Sequence, residues 1–178
     1  EALEAVFYDQ KIFKAAHHAK YDLEILHRAG LNLFKINVDF DVMIAAQLVG
    51  MLKAGLKDLA FNRLGEEMTH IEALIGTGKK QITIDLAPVE NVVAYAGADA
   101  DMPLRLVDDL APQLERDGLA QLFVEVEMPL VPVLATMELC GITVDVPSLQ
   151  SISTGLFKKM EQLEKEIYES VGYKFNIN

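Results

Sequence analysis

The stretch "AAHHAKYDLEIL", residues 15–26, decides the fold because it joins an apolar run to a helical pattern. Residues 12–16 are largely apolar, which predicts a short buried strand. The following residues place Leu23 and Leu26 on one helical face, and Gly30 stands where a helix C-cap is expected. The stretch therefore predicts a strand that turns directly into a helix, with polar side chains at the turn.

The two histidines in this turn have a predicted orientation. At a strand end, His17 and His18 point to opposite faces, one inward and one outward. The four histidines and the single cysteine, Cys140, lack the spacing of a zinc site. We therefore interpret the histidines as structural or substrate-facing, and we expect Cys140 to be a small buried side chain in a reducing cytoplasm.

The composition limits the possible partners. The 178 residues are 51% hydrophobic and 24% charged, with a formal net charge of −11. This composition is typical of a globular chain, and no apolar run or leader pattern predicts a membrane span or a secretion signal. A domain that binds duplex DNA by itself usually carries positive charge. If this chain binds nucleic acid, metal ions or a more basic segment must offset its acidity.

The pattern along the chain indicates two kinds of structure. Early strands, at 12–16 and 38–40, alternate with helices, and Asp41 is a predicted N-cap. A short helix is predicted over 55–65 and a longer one from Pro88 to about residue 115. This alternation indicates an α/β unit over about 1–117.

Helices dominate the remainder. Residues 119–139 are apolar and helical, with prolines that mark a helix start or kink. Residues 140–145, "CGITVD", predict a turn into a short strand. From Leu149 to Val171, apolar residues recur every three or four positions, so an amphipathic helix is predicted, with Pro147 in its first turn and Gly172 at its end.

The segment "YAGADAD", residues 95–101, carries a possible site. Tyr95 and Asp99 are four residues apart, so they share a helix face. With Asp22, which directly follows Tyr21, they supply two carboxylates and a phenol. Such a set suits divalent metal ions and a positioned water, as in two-metal phosphodiester hydrolysis. On spacing alone, ordinary exposed helix acids and a core tyrosine remain the alternative, with Asp101 among those acids.

Two other motifs do not support a site. "IGTGKK" lacks the spacing of a phosphate-binding P-loop, and no strand precedes it. "DLE", residues 22–24, imitates a D-x-E metal pair. In a helix, however, Asp22 and Glu24 point about 200° apart.

Seven segments together resemble bacterial family A DNA polymerases, which are DNA polymerase I-like. They occur in the same order as in that family and cover nearly the whole chain: "KAAHHAKYDLEILHRAG", "DFDVMIAAQLVG", "GLKDLAFNRLG", "IGTGKKQITID", "YAGADADMPLRL", "VEMPLVPVLATMELCGITVDVPSL" and "YKFNIN". The resemblance implies a truncated ribonuclease H-like 3′–5′ exonuclease domain over 1–117. It also implies that 118–178 form the helical start of the polymerase domain, before and into the thumb.

The resemblance also implies roles for individual residues. Tyr95 and Asp99 match the family's Y-x-x-x-D motif, and Tyr21 and Asp22 match a second motif. It implies that Asp22 and Asp99 bind Mg²⁺, two ions in a complete site, and that Tyr95 orients the attacking water. His18 and Tyr21 would contact the substrate strand, although His18 stands where the family usually has asparagine.

The expected function is that of a fragment of a bacterial, cytoplasmic DNA polymerase acting in replication and repair, with a proofreading exonuclease. Its expected partners are a single-stranded DNA 3′ end, a primer-template and the rest of the polymerase chain. The family's first motif, a D-x-E, is not in these residues, so we expect the fragment alone to be inactive. Two alternatives remain: a catalytically silent scaffold that supports the polymerase, and a stand-alone trimming nuclease, which the segment 127–145 disfavours.

Overall fold

The computed structural model describes residues 3–177, and the chain divides into two compact units, Glu1–Cys140 and Gly141–Asn178. The first unit is mostly helical, with a small parallel sheet. Its elements, in chain order, are α1 (Glu4–Tyr8), β1 (Ala15–Ala16), α2 (Ala19–Arg28), a 3₁₀ turn (Leu33–Lys35), β2 (Phe40–Asp41), α3 (Val42–Leu48), α4 (Leu56–Leu59) with a π-helical extension (Ala60–Leu64), α5 (Glu72–Ile75), 3₁₀ turns (Gly78–Lys80 and Ile84–Leu86), α6 (Val89–Arg116), α7 (Ala120–Leu122), a π-helical turn (Phe123–Glu127) and α8 (Met128–Cys140).

The sheet consists of β1 and β2, which pair in parallel with Ala15 opposite Phe40 and Ala16 opposite Asp41. The predicted α/β class is therefore confirmed, although the two predicted strands, at 12–16 and 38–40, are wrong in their extent. Regular pairing covers only two residues of each strand. Residues 12 and 13 are exposed rather than buried, so the apolar run extends beyond the paired segment.

The main core lies between α3 and α6. Leu106, Leu110 and Leu114 recur every four residues on α6, and all three are buried. They belong to one cluster with Val42 of α3 and with Phe123 of the π-helical turn. The long helix is therefore fixed against the element that follows β2.

A second core fixes α2. Ala19 and Leu23 on α2 are buried in one cluster with Val131 and Ala135 on α8. Because α2 packs on α8, residues 128–140 belong to the same compact unit as the sheet. The predicted domain boundary between residues 117 and 118 is not tested by this packing and stays a prediction.

Two ion pairs hold the segment after α4 to α6. The Arg63 Nε lies 2.6 Å from a carboxylate oxygen of Asp109, and the Arg105 guanidinium lies 2.8 Å from a carboxylate oxygen of Glu66. Both pairs are partly exposed, so each contributes at most about 1 kcal/mol. Their effect is mainly to fix the register of this segment on α6.

The apolar stretch after residue 118 is helical, as predicted, in three consecutive pieces from Ala120 to Cys140. Pro132 lies inside α8, where its carbonyl oxygen accepts a hydrogen bond from the Thr136 hydroxyl at 2.8 Å. The prediction that Cys140 is buried is wrong. This residue is exposed because it lies at the C-terminal end of α8, beyond the face that packs on α2.

Within residues 3–177, no single helix is both long and apolar enough to span a membrane. The helices Val89–Arg116 and Ala120–Cys140 reach that length and apolarity only as a pair, bent by 118°. Three leucines of α6, Leu106, Leu110 and Leu114, are buried in the core.

The second unit contains α9 (Val146–Val171). The helix begins at the Asp145 cap, whose carboxylate accepts hydrogen bonds from the Ser148 N–H and hydroxyl, and it ends at Gly172 with φ 84°. The predicted helix is therefore confirmed. The predicted strand at 140–145 is wrong, because these residues form no ladder with another strand among residues 3–177.

Candidate functional site

One buried carboxylate, that of Asp41, organises the turn between β1 and α2. Asp41 is 1% exposed. It accepts hydrogen bonds from the N–H groups of His18 at 3.2 Å and Ala19 at 2.7 Å. It also accepts from Met43 at 2.9 Å and from Ile44 at 3.4 Å. The side chain therefore caps both α2 and α3, and only the second of these caps was predicted.

This turn has an unusual backbone conformation. His18 has φ 68° and ψ 50°, and it is the one non-glycine residue with positive φ in the described part of the chain. His17 is half-buried, with its Nε2 2.7 Å from the Ala54 carbonyl oxygen. His18 is exposed, and its ring stacks on that of Tyr21 at a centroid distance of 6.2 Å. The predicted inward and outward orientation is confirmed.

The predicted catalytic side chains meet at one cavity of about 930 Å³ in the first unit. Asp22 of α2 lines it together with Tyr95 and Asp99 of α6. The other two predicted site residues, His18 and Tyr21, do not line this cavity and lie exposed on its α2 side. The fold thus places Asp22 on the same cavity as Tyr95 and Asp99, although more than 70 residues separate Asp22 from those two in sequence.

The cavity changes the proton affinity of Asp22. Burial by the surrounding walls raises the pKa of this carboxyl above its ordinary value, and the neighbouring charge of Asp41 raises it further. His18 and His17 act in the opposite direction. Although Asp22 as a whole is exposed to solvent, it lines the cavity, and the cavity walls account for the desolvation of its carboxyl.

Tyr95 remains a hydrogen-bond donor at neutral pH. Burial raises the pKa of its phenol, and so do the charge of Asp99 and a hydrogen bond to that carboxylate. Glu72 acts in the same direction. A neutral phenol beside a carboxylate can orient a water molecule, but it does not remove a proton from it.

The side chains of the cavity supply only part of the ligands that a hard cation such as Mg²⁺ requires. Asp22 and Asp99 offer the oxygen ligands that Mg²⁺ prefers. Among residues 3–177, however, no group of three or more His, Cys, Asp or Glu side chains is arranged to hold a metal ion. Neither Glu24 nor Asp101 lines the cavity, and Asp101 lies 3.7 Å from the Arg105 guanidinium instead. The chain therefore supplies two carboxylates of a possible metal site.

Sequence reasoning did not single out four polar residues of the cavity wall: Lys14, Lys57, Asp58 and His70. Lys57 lies on α4, and its ammonium is 5.4 Å from the centroid of the Tyr95 ring. Its position depends on how α4 packs against α6, and nothing in the local sequence "GLKDL" indicates it. The inward orientation of His17 does follow from the alternation of side chains at a strand end.

A comparison with protein families identifies the class of this chain. Residues 1–115 match the family model described as 3′–5′ exonuclease. The match spans more than half of the chain and includes Asp22, Tyr95 and Asp99. The chain belongs to this 3′–5′ exonuclease family of DNA polymerase I-type proteins.

Individual relatives agree with this assignment. The chain is 43% identical to DNA polymerase I of Chloroflexus aurantiacus over 180 residues, covering 99% of this chain and 19% of that protein. It is 36% identical to DNA polymerase I of Pseudomonas aeruginosa over 179 residues, covering 99% of this chain and 20% of that protein. The chain therefore spans about a fifth of the length of these curated relatives.

A solved structure is also similar. The POL domain of Pol1 from M. smegmatis, in complex with DNA primer-template and dNTP, has a TM-score of 0.69 and 26% identity to this chain. The similarity covers 98% of this chain and 27% of that one. The resemblance drawn from the seven sequence segments is thus confirmed by sequence and by structure.

Proposed function

We propose that this chain is part of a DNA-directed DNA polymerase that acts in replication and repair and removes nucleotides from DNA 3′ ends. One observation carries this proposal: Asp22, Tyr95 and Asp99, which lie on two separate helices, line the same cavity. These residues match the two motifs on which the family resemblance assigns exonuclease roles. The family membership of residues 1–115 supports the same assignment.

The proposed reaction is hydrolysis of the terminal phosphodiester of a single strand. The oxygen of water bonds to phosphorus, the bond from phosphorus to the 3′ oxygen of the preceding nucleotide breaks, and that oxygen takes up a proton. The products are a nucleoside 5′-monophosphate and a shortened strand with a free 3′ hydroxyl. When bound, two Mg²⁺ ions would supply Lewis acidity for the attacking and the leaving oxygen.

The chain's own residues contribute ligands and orientation. The carboxylates of Asp22 and Asp99 would hold Mg²⁺, and the remaining ligands would come from the D-x-E motif that the family resemblance places upstream. Tyr95, which is neutral at physiological pH, would hold the attacking water in line by a hydrogen bond. His18 and Tyr21, exposed beside the cavity, would contact the substrate strand.

The proposed architecture follows the same resemblance. Residues 1–117 would form the later part of a ribonuclease H-like exonuclease domain, and 118–178 would begin the polymerase domain. The family match that ends at residue 115 supports this division. The proposed partners are a single-stranded 3′ end at the cavity, a primer-template in the complete protein, and the rest of the polymerase chain.

A second candidate function is a catalytically silent scaffold that supports the polymerase. The observation that favours it is His18, which stands where the family usually has asparagine. The two candidates differ in one measurable property, which is metal-dependent trimming by the complete protein.

The experiment measures Mg²⁺-dependent trimming of a labelled single strand by the full-length protein. We expect Asp22→Ala and Asp99→Ala to slow trimming by more than about 100-fold, because members of a catalytic unit are not individually dispensable. The matched control is Asp101→Ala, which removes an exposed acid paired with Arg105 and should trim like the wild type. Absence of trimming by the wild-type protein would establish the scaffold instead.

A further inference from the structure

The cavity contains basic groups as well as acidic ones. Lys14, His17, Lys57 and His70 line it together with three acids, Asp22, Asp58 and Asp99. A DNA strand that enters this cavity brings phosphates toward these three carboxylates, in a chain whose net charge is −11. Binding therefore requires a local cation that is free to meet a phosphate.

Two of these basic groups are already engaged. The Lys14 ammonium donates three hydrogen bonds, to the carbonyl oxygens of Asp9 at 2.8 Å and Ile12 at 3.0 Å and to the Asn37 Oδ1 at 2.7 Å. Because an ammonium has three N–H donors, none remains for a ligand. The His17 Nε2 lies 2.7 Å from the Ala54 carbonyl oxygen. These two side chains stabilise the cavity wall.

Lys57 differs from both. Its side chain is half-buried on α4, and within residues 3–177 its ammonium has no hydrogen bond or ion pair. The ammonium instead contacts the face of the Tyr95 ring, at 5.4 Å from the centroid. Such a cation–π contact positions the ammonium while its N–H donors stay free.

We propose that Lys57 binds a phosphate of the DNA strand whose 3′ end occupies the cavity. Lys57 is thus a substrate-binding residue next to the Tyr95 ring, and its charge offsets part of the repulsion between DNA and the carboxylates of the cavity. This inference rests on the proposed exonuclease function and adds to it a specific phosphate contact. His70 is exposed and makes no comparable contact with Tyr95.

The test is the salt dependence of KM for single-strand trimming by the full-length protein, between about 50 and 200 mM NaCl. Loss of one phosphate contact lowers the slope of log KM against log salt by about 0.7 for a single strand. We expect this decrease in Lys57→Met and in Lys57→Gln, with KM raised several-fold at low salt and kcat changed by less than about twofold. Lys57→Arg should restore the wild-type slope, because it keeps the charge.

The matched control is Lys53→Met, since Lys53 is an exposed lysine four residues earlier that does not line the cavity. An unchanged slope in both uncharged Lys57 variants, or an equal decrease in Lys53→Met, would overturn the inference. Asp99→Ala distinguishes failure of the Lys57 contact from failure of the proposed exonuclease function. If it abolishes trimming while Lys57→Met leaves KM and slope unchanged, only the role of Lys57 fails; if it leaves trimming intact, the proposed function fails.

Discussion

At the scale of single residues, His18 shows how backbone geometry selects a side chain. Its left-handed conformation directs two consecutive N–H groups, its own and that of Ala19, to Asp41. Asparagine and histidine are among the non-glycine residues that are enriched in this conformation. The family that the sequence resembles usually has asparagine at this position. Asparagine can therefore adopt the left-handed conformation that His18 has here.

We expect His18→Asn to preserve both the stability of the chain and the trimming activity of the full-length protein. His18→Ala should lower the free energy of unfolding by about 1 kcal/mol, because alanine tolerates the left-handed region poorly. It should also slow trimming, because alanine has no side-chain donor for the DNA strand. Urea unfolding and the trimming assay measure the two effects. A large loss of trimming in His18→Asn would contradict this account.

Asp22 gives a prediction about pH. Burial and Asp41 raise its pKa in the folded chain above the ordinary 3.8. Between the unfolded and folded pKa values the folded state binds more protons, so stability decreases as pH rises through this window. The loss of stability caused by ionising Asp22 is complete above the folded-state pKa and disappears below the pKa of the unfolded chain.

In metal-free buffer at pH 7, Asp22→Asn should therefore stabilise the 178-residue chain, by less than about 1 kcal/mol because the side chain is partly solvated. The gain should diminish as pH falls below the folded-state pKa. Thermal unfolding with EDTA measures it, and Glu24→Gln on the same helix is the comparison. If Asp22→Asn instead destabilises the chain at pH 7, then burial does not destabilise the ionised form of Asp22.

The sequence predicted Asp22, Tyr95 and Asp99 as candidates, since their motif spacing is visible without a structure. It did not predict Lys57 or the double role of Asp41. Both depend on contacts between elements that are distant in sequence: α4 with α6 for Lys57, and the β1–α2 turn with β2 for Asp41. Local periodicity contains no information about such contacts.

At the scale of elements, the helices were more predictable than the strands. Pro88 before α6, and Pro147 and Gly172 at the ends of α9, are local signals, and both helices occur where they were expected. The two strands pair over two residues each, and their limits depend on hydrogen bonds between residues 14 and 39–40. An apolar run predicts burial, but it does not predict how far the pairing extends.

Asp41 connects these elements, so its removal should affect more than one of them. Asp41→Ala leaves four backbone N–H groups at two helix ends without their acceptor. We expect the free energy of unfolding to fall by more than about 2 kcal/mol. Asp41→Asn keeps one oxygen acceptor and should lose less. Urea unfolding measures both changes.

The control for this prediction is Asp145→Ala, which removes the cap of a single helix, α9. Its expected effect is about 1 kcal/mol, typical of one N-cap. If Asp41→Ala destabilises the chain no more than Asp145→Ala does, then Asp41 does not link the two helices energetically.

At the scale of the whole molecule, the 178-residue chain assayed alone should show neither exonuclease nor polymerase activity. Two closely spaced Mg²⁺ ions repel each other, and Asp22 and Asp99 alone give them too few anionic oxygen ligands. The assay uses single-stranded DNA and Mg²⁺, beside a version extended upstream through the D-x-E motif. Metal-dependent trimming by the 178-residue chain that disappears in Asp99→Ala would contradict this expectation.

The central claim is that Asp22 and Asp99 form one metal site. The most direct measurement is a crystal structure of the full-length protein with Mn²⁺, in which anomalous scattering locates the ions. We predict that the two carboxylates lie about 4 to 8 Å apart and that both contact an ion at this cavity. Carboxylates on opposite faces of the domain, or ions bound only elsewhere, would contradict the account.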